Sequence, residues 1–126
     1  MDLKQLEYIV KIADENSITR AAERLYISQS GLNQQLLKLE SELGIQLFHR
    51  SKNDLRLTEA GKVYVSYARQ MLQLKQEAYD IYQKVLATEP DNVMAHFSLA
   101  SYYEQTGQQD LYKQQLDSLL MNKKVP

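Results

Sequence analysis

Residues 28–40 read SQSGLNQQLLKLE, and Gln29, Ser30, Asn33 and Gln34 fall at helical spacing on the side away from Leu32, Leu36, Leu39 and Leu43. An uncharged amide both donates and accepts hydrogen bonds. Asn and Gln can therefore pair bidentately with N6 and N7 of adenine, each good pair contributing about 1–3 kcal/mol of discrimination. Lys38 shares that side. Further along, Arg50, Lys52 and Arg56 flank a turn, where a cation's natural partner is phosphate. Thr19 and Ser28 stand near helix starts, where a hydroxyl and free backbone N–H groups can hold a phosphate oxygen. The chemistry offered is recognition of a polyanion with readable edges.

Bond-breaking chemistry has little support. The chain has no cysteine, which excludes disulfides and thiolate metal sites. His49 and His96 are far apart, lack metal-ligand spacing and read as surface or interface histidines. Glu40 and Glu42 read as helix-surface charges. No Gly-rich phosphate loop or nucleophile motif occurs. An enzyme, a metal and a cofactor are therefore not expected. No apolar run approaches a membrane span, and the start MDLKQLEYIV lacks a signal-peptide profile, so no membrane is expected and a cytoplasmic location is.

The 126 residues carry a net charge of −1, unevenly spread. Residues 1–70 hold ten Lys and Arg against nine Asp and Glu, and all five arginines lie there. Residues 71–126 hold five Lys against seven acids. Arg suits bidentate phosphate and guanine contacts. The asymmetry predicts two segments with different roles.

The elements that must position these residues follow from periodicity. Leu3, Leu6, Ile9, Val10 and Ala13 predict a helix over 3–15. Ser17 caps a second, with Ile18, Ala21, Ala22 and Leu25 inward; the paired alanines permit close helix approach. Ser28 caps a third that Gly44 ends. QLFHR and DLRL then alternate around 52–54, predicting a short β-hairpin. After Thr58, Ala60, Tyr64, Tyr67, Met71, Leu74, Ala78, Ile81 and Val85 recur four and three apart, a heptad seam on a helix over 59–88, roughly 45 Å long. Too little of the chain is left to cover that seam, and self-association is the expected remedy. Helices follow over 93–105, with Val93, Phe97, Leu99, Ala100 and Tyr103, and over 109–121, with Leu111, Tyr112, Leu116, Leu119 and Leu120.

The expected fold is mainly α: a winged helix-turn-helix over 1–58 with a small β-hairpin wing, a long dimerisation helix over 59–88, and a helical hairpin over 89–126. In a winged helix-turn-helix the third helix enters the major groove and the wing reaches backbone or minor groove.

Residues 1–70 resemble the DNA-binding domain of LysR-type transcriptional regulators. The resemblance rests on AAERLYISQS, LESELGIQLFHR and LTEAG, at family spacing without gaps. It implies dimers that read an interrupted palindrome in double-stranded DNA, with the long helix as dimer stalk, in a bacterial, nucleoid-associated setting. It also implies base contacts by Gln29, Ser30, Asn33 and Gln34 and backbone or minor-groove contacts by Arg50 and Arg56. Asn33-Gln34 departs from the family's common Ser-Arg, so the family's base preferences do not carry over; Leu37 stands where the family is generally polar. Family members continue into a large effector-binding domain for which this sequence has no room.

Residues 78–126 resemble a tetratricopeptide repeat segment: Ala78, Tyr82 and Pro90 fit one unit, and Leu99, Ala100, Tyr103 and Gly107 the next. About three such repeats are normally needed for independent stability. A structural role, packing on a stalk and capping the dimer, is therefore expected ahead of partner binding, and the change of family within one helix is also what an engineered or rearranged fusion would show. The competing reading is a protein-interaction or oligomerisation module built on the repeat, with a tetramer possible if the repeat adds a second interface.

Overall fold

The computed structural model describes residues 2–51 and 54–122, as α1 (Leu3–Glu15), α2 (Ile18–Leu25), α3 (Gln29–Leu43), β1 (Phe48–Ser51), β2 (Asp54–Leu57), α4 (Glu59–Thr88), α5 (Val93–Gln105) and α6 (Gln109–Asn122). The chain divides into two units, one ending at Leu72 and one beginning at Gln73, and α4 belongs to both.

Local chemistry sets the boundaries of the first unit. Asp2 and Gln5 form a reciprocal capping box on α1. The Ser17 hydroxyl accepts from Arg20 N at 3.1 Å and that of Ser28 from Gly31 N at 3.0 Å, starting α2 and α3. Gly44 ends α3 in the left-handed region, φ +72°. Leu6, Ile9, Ile12, Ala21, Ala22, Leu32, Leu36, Leu39, Leu47, Phe48, Val65 and Ala68 form the core. Ala21 and Ala22 are fully or almost fully buried, as close helix packing requires.

The start of α4 locks onto the base of the hairpin. Thr58 N donates to Leu47 O, its hydroxyl donates to Gln46 O at 2.7 Å, and the same oxygen accepts from Gly61 N at 2.9 Å. A Cβ on Gly61 would lie 2.0 Å from Leu47 O, so the close approach requires glycine here. One stripe of α4, Gly61, Val65 and Ala68, is buried in this unit. The predicted seam lies one residue away around the helix. On it Tyr67 and Met71 remain exposed and Ala60 and Tyr64 are half-buried; further along α4, Leu74 and Ile81 are exposed and Ala78 and Val85 half-buried.

In the second unit, α5 and α6 pack together on either side of Gly107, φ +74°. Asn92 caps α5, accepting from Ala95 N at 2.9 Å. Tyr79 of α4 stacks with Tyr102 and meets Tyr103 edge-on, and the Tyr79 and Tyr103 hydroxyls are 3.1 Å apart.

Four expectations need correcting. His96 is buried, not a surface residue: Nε2 donates to Pro90 O at 2.7 Å and Nδ1 lies 2.8 Å from the Gln115 side-chain oxygen. The buried face of α5 is Ala95, His96, Leu99, Ala100 and Tyr103, whereas Val93 and Phe97 are exposed. Residues two apart lie about 200° around a helix, so Phe97 and Leu99 cannot share a face, while His96 lies three before Leu99 and joins it. Glu40 likewise is buried, sitting one turn after Leu36 on the core side of α3. Leu43, at the last turn of the leucine stripe, is 39% exposed.

Candidate nucleic-acid interface

The α3 leucines Leu32, Leu36 and Leu39 face the core, so the opposite side is presented outward. Gln29, Ser30, Gln34 and Lys38 are exposed and Asn33 is half-buried. None of their side chains makes a hydrogen bond or ion pair among the described residues, which leaves amide donors and acceptors available. Leu37, 45% exposed, adds an apolar group to the same stripe, three residues after Gln34. Ser28 spends its oxygen on the α3 cap, yet its hydroxyl proton remains free to donate. Thr19 is exposed in the first turn of α2.

The wing is an antiparallel pair with Phe48 opposite Leu57, His49 opposite Arg56, Arg50 opposite Leu55 and Ser51 opposite Asp54. Alternation sends Phe48, Arg50, Leu55 and Leu57 to one face and His49, Ser51, Asp54 and Arg56 to the other. The two arginines of the wing therefore differ. Arg50 donates to Glu40 Oε1 at 3.0 Å, and Glu40 Oε2 accepts from Leu47 N at 2.7 Å and Phe48 N at 3.3 Å. Glu40 is 8% exposed, so the carboxylate is a buried clamp joining α3 to the wing, and Arg50 is its counter-ion. Arg56 is 76% exposed, and among the described residues its ion pair is a surface one, to Asp54 at 2.7 Å. Surface pairs of this kind are weak, and the guanidinium can exchange its partner for a phosphate. Lys52 lies outside the described residues.

The role of Glu40 is not visible in the sequence and is recognisable only once Leu47 and Phe48 are known to turn back over α3; His49 is exposed, as expected.

No group of three or more His, Cys, Asp or Glu among the described residues is placed to hold a metal ion, and no described helix is long and apolar enough to cross a membrane.

Two short capped helices followed by a third with an open amide face, and a cationic hairpin behind it, define a winged helix-turn-helix. Residues 3–62 match the family described as the bacterial regulatory helix-turn-helix protein, lysR family. Through this domain the chain belongs to that family. It is 43% identical over 77 residues to the HTH-type transcriptional regulator YcgK of Bacillus subtilis, covering 61% of this chain and 24% of that one. It is 45% identical over 78 residues to the nitrogen assimilation regulatory protein nac of Klebsiella aerogenes, covering 62% and 26%. The chain thus spans about a quarter of the length of these curated relatives. Among solved structures, a BenM DNA-binding domain in complex with catB site 1 DNA is 34% identical with a TM-score of 0.65, over 68% of this chain and 94% of that one. Full-length OxyR C199D from Pseudomonas aeruginosa is 42% identical with a TM-score of 0.62, over 67% and 28%.

Proposed function

We propose that this chain is a LysR-type, sequence-specific DNA-binding regulator that acts as a binding protein rather than an enzyme on bacterial chromosomal DNA. The observation that carries the reading is the outward face of α3: Gln29, Ser30 and Gln34 exposed, Asn33 half-buried, their side chains without a partner among the described residues. Gln29, Ser30, Asn33 and Gln34 contact base edges; Thr19, Ser28, Lys38, Arg56 and Lys52 contact phosphates. Arg50 acts chiefly by holding the wing through Glu40. A relative solved in complex with DNA, the BenM DNA-binding domain, supports the same assignment.

The reading includes dimerisation, which the exposed apolar seam of α4 favours. The seam of α4 (Ala60, Tyr64, Tyr67, Met71, Leu74, Ala78, Ile81, Val85) carries large apolar groups that are solvent-facing in one copy, Tyr67 at 60% and Leu74 at 64% exposed. Pairing two such seams buries them and sets two α3 helices on an interrupted palindrome. We read the helical pair α5–α6 as a tetratricopeptide-like hairpin with a structural rather than a partner-binding role.

Binding of the full chain to a duplex selected from random sequence tests the reading. The triple variant Asn33→Ala, Gln34→Ala, Arg56→Ala is expected to lose selective binding. Retention of selective binding by that variant would remove the proposed reading face. A second reading, a protein-interaction module, is favoured by Val93, Met94 and Phe97, exposed together on the first turns of α5. It predicts that Phe97→Glu abolishes self-association or partner capture by the full chain while DNA binding is absent from the start.

A further inference from the structure

Tyr26 fits neither its backbone conformation nor a packing role. It ends α2 at φ +58° and ψ +40°, a left-handed conformation that glycine and asparagine adopt at lower cost. Its N–H closes the helix by donating to the Ala22 and Glu23 carbonyls, a task that needs no side chain. The ring is 94% exposed, so it contributes almost no packing to the unit. Leu25 and Ile27 on either side pack against the core and hold the turn in place, with the ring outside it. The turn joins α2 to α3 and lies two residues before Ser28, at the end of α3 that carries Gln29, Ser30, Asn33 and Gln34. If α3 enters a DNA groove by this end, as the DNA-binding reading has it, the turn is brought close to the phosphates that flank that groove.

We propose that Tyr26 is a DNA-backbone contact, its ring against a deoxyribose and its phenolic O–H donating to a phosphate oxygen next to the bases that α3 reads. The proposal rests on the DNA-binding reading above. A tyrosine hydroxyl is a phosphate donor, and its ring supplies a stiff amphipathic surface. Such a contact fixes the depth and register of α3 and carries no sequence information itself. Strained residues persist where function uses them. At this position stability and binding therefore oppose each other.

The test uses the full chain as wild type, Tyr26→Asn and Tyr26→Phe, with thermal melting and fluorescence anisotropy. Two probes serve: random-sequence duplex DNA, and a duplex enriched by the wild-type chain. Tyr26→Asn is expected to raise the melting temperature by a few degrees and to weaken binding to both duplexes about fivefold, by the same factor. Tyr26→Phe is expected to leave melting unchanged and to weaken both by about threefold. Undiminished binding by both variants, or a loss confined to the enriched duplex, overturns the assignment and leaves the DNA-binding reading standing. A lowered melting temperature in Tyr26→Asn also overturns it, because the ring would then be a packing residue. If the wild-type chain binds neither duplex, the underlying reading fails and takes this one with it.

Discussion

The Glu40 carboxylate and the Arg50 guanidinium, 3.0 Å apart, tie the wing to the third helix. The other carboxylate oxygen accepts from two consecutive backbone N–H groups, Leu47 and Phe48, at the point where the chain leaves the α3 cap and becomes β1. One buried acid thus satisfies two amides and a cation. Glu40→Ala leaves those amides without an acceptor and is expected to destabilise the chain by about 2–3 kcal/mol, read as a lower urea midpoint. Glu40→Gln is expected to cost less, because the amide oxygen still accepts. Equal stability of wild type and Glu40→Ala contradicts the clamp.

The two wing arginines should separate experimentally. Arg56→Ala removes an exposed cation and is expected to weaken DNA binding evenly across sequences, reducing the salt slope by about 1, with stability unchanged. Arg50→Ala removes the counter-ion of a buried carboxylate and is expected to lower both the urea midpoint and DNA affinity. Salt titration of binding, paired with urea unfolding of each variant, checks this division.

Self-association should depend on the exposed seam of α4. Tyr67→Lys places a charge on a face that is 60% exposed in one copy, so the monomer's own stability is expected to change little. In a paired seam the same charge is buried without a partner. Sedimentation velocity is expected to show a shift from dimer to monomer at micromolar protein.

Tyr103 gives the second unit a pH limit. Burial, then the hydrogen bond with Tyr79, pushes its phenol up from the ordinary 10.0 to about 12. The unfolded chain loses this proton near 10.0, while the folded chain holds it until about 12. Stability is therefore fully present below pH 10, falls as pH rises between those values, and stops falling above them. Thermal melts across that window are expected to show a smaller decline in Tyr103→Phe than in wild type.

Much of the fold is legible in the sequence because its signals are local. Ser17, Ser28 and Gly44 cap helices by chemistry within a turn of themselves, and Leu6, Ile9 and Val10 of α1 follow from spacing alone; the stripe that α4 buries, Gly61, Val65 and Ala68, lies one residue round from the heptad positions and does not. The open amide face of α3 is legible for the same reason, since it is the complement of Leu32, Leu36 and Leu39. Glu40 and His96 are not legible, because a buried polar side chain is identified by its partners. Those partners, the Leu47 and Phe48 amides and the Pro90 carbonyl with Gln115, come from elsewhere in the chain. The unlike roles of Arg50 and Arg56 depend on strand register, which places them on opposite faces. The outward position of Phe97 is legible in the sequence, because its 200° offset from Leu99 is a property of any helix.

In-vitro selection of duplex DNA by the purified chain tests most directly the claim that α3 reads bases from a dimer. The enriched pool is expected to converge on two inverted half-sites separated by a fixed spacer. Repeating the selection with Gln34→Ala is expected to relax one position in each half-site, a loss of about 1–3 kcal/mol in discrimination there. A pool that stays random, or one that converges identically for wild type and Gln34→Ala, contradicts the account.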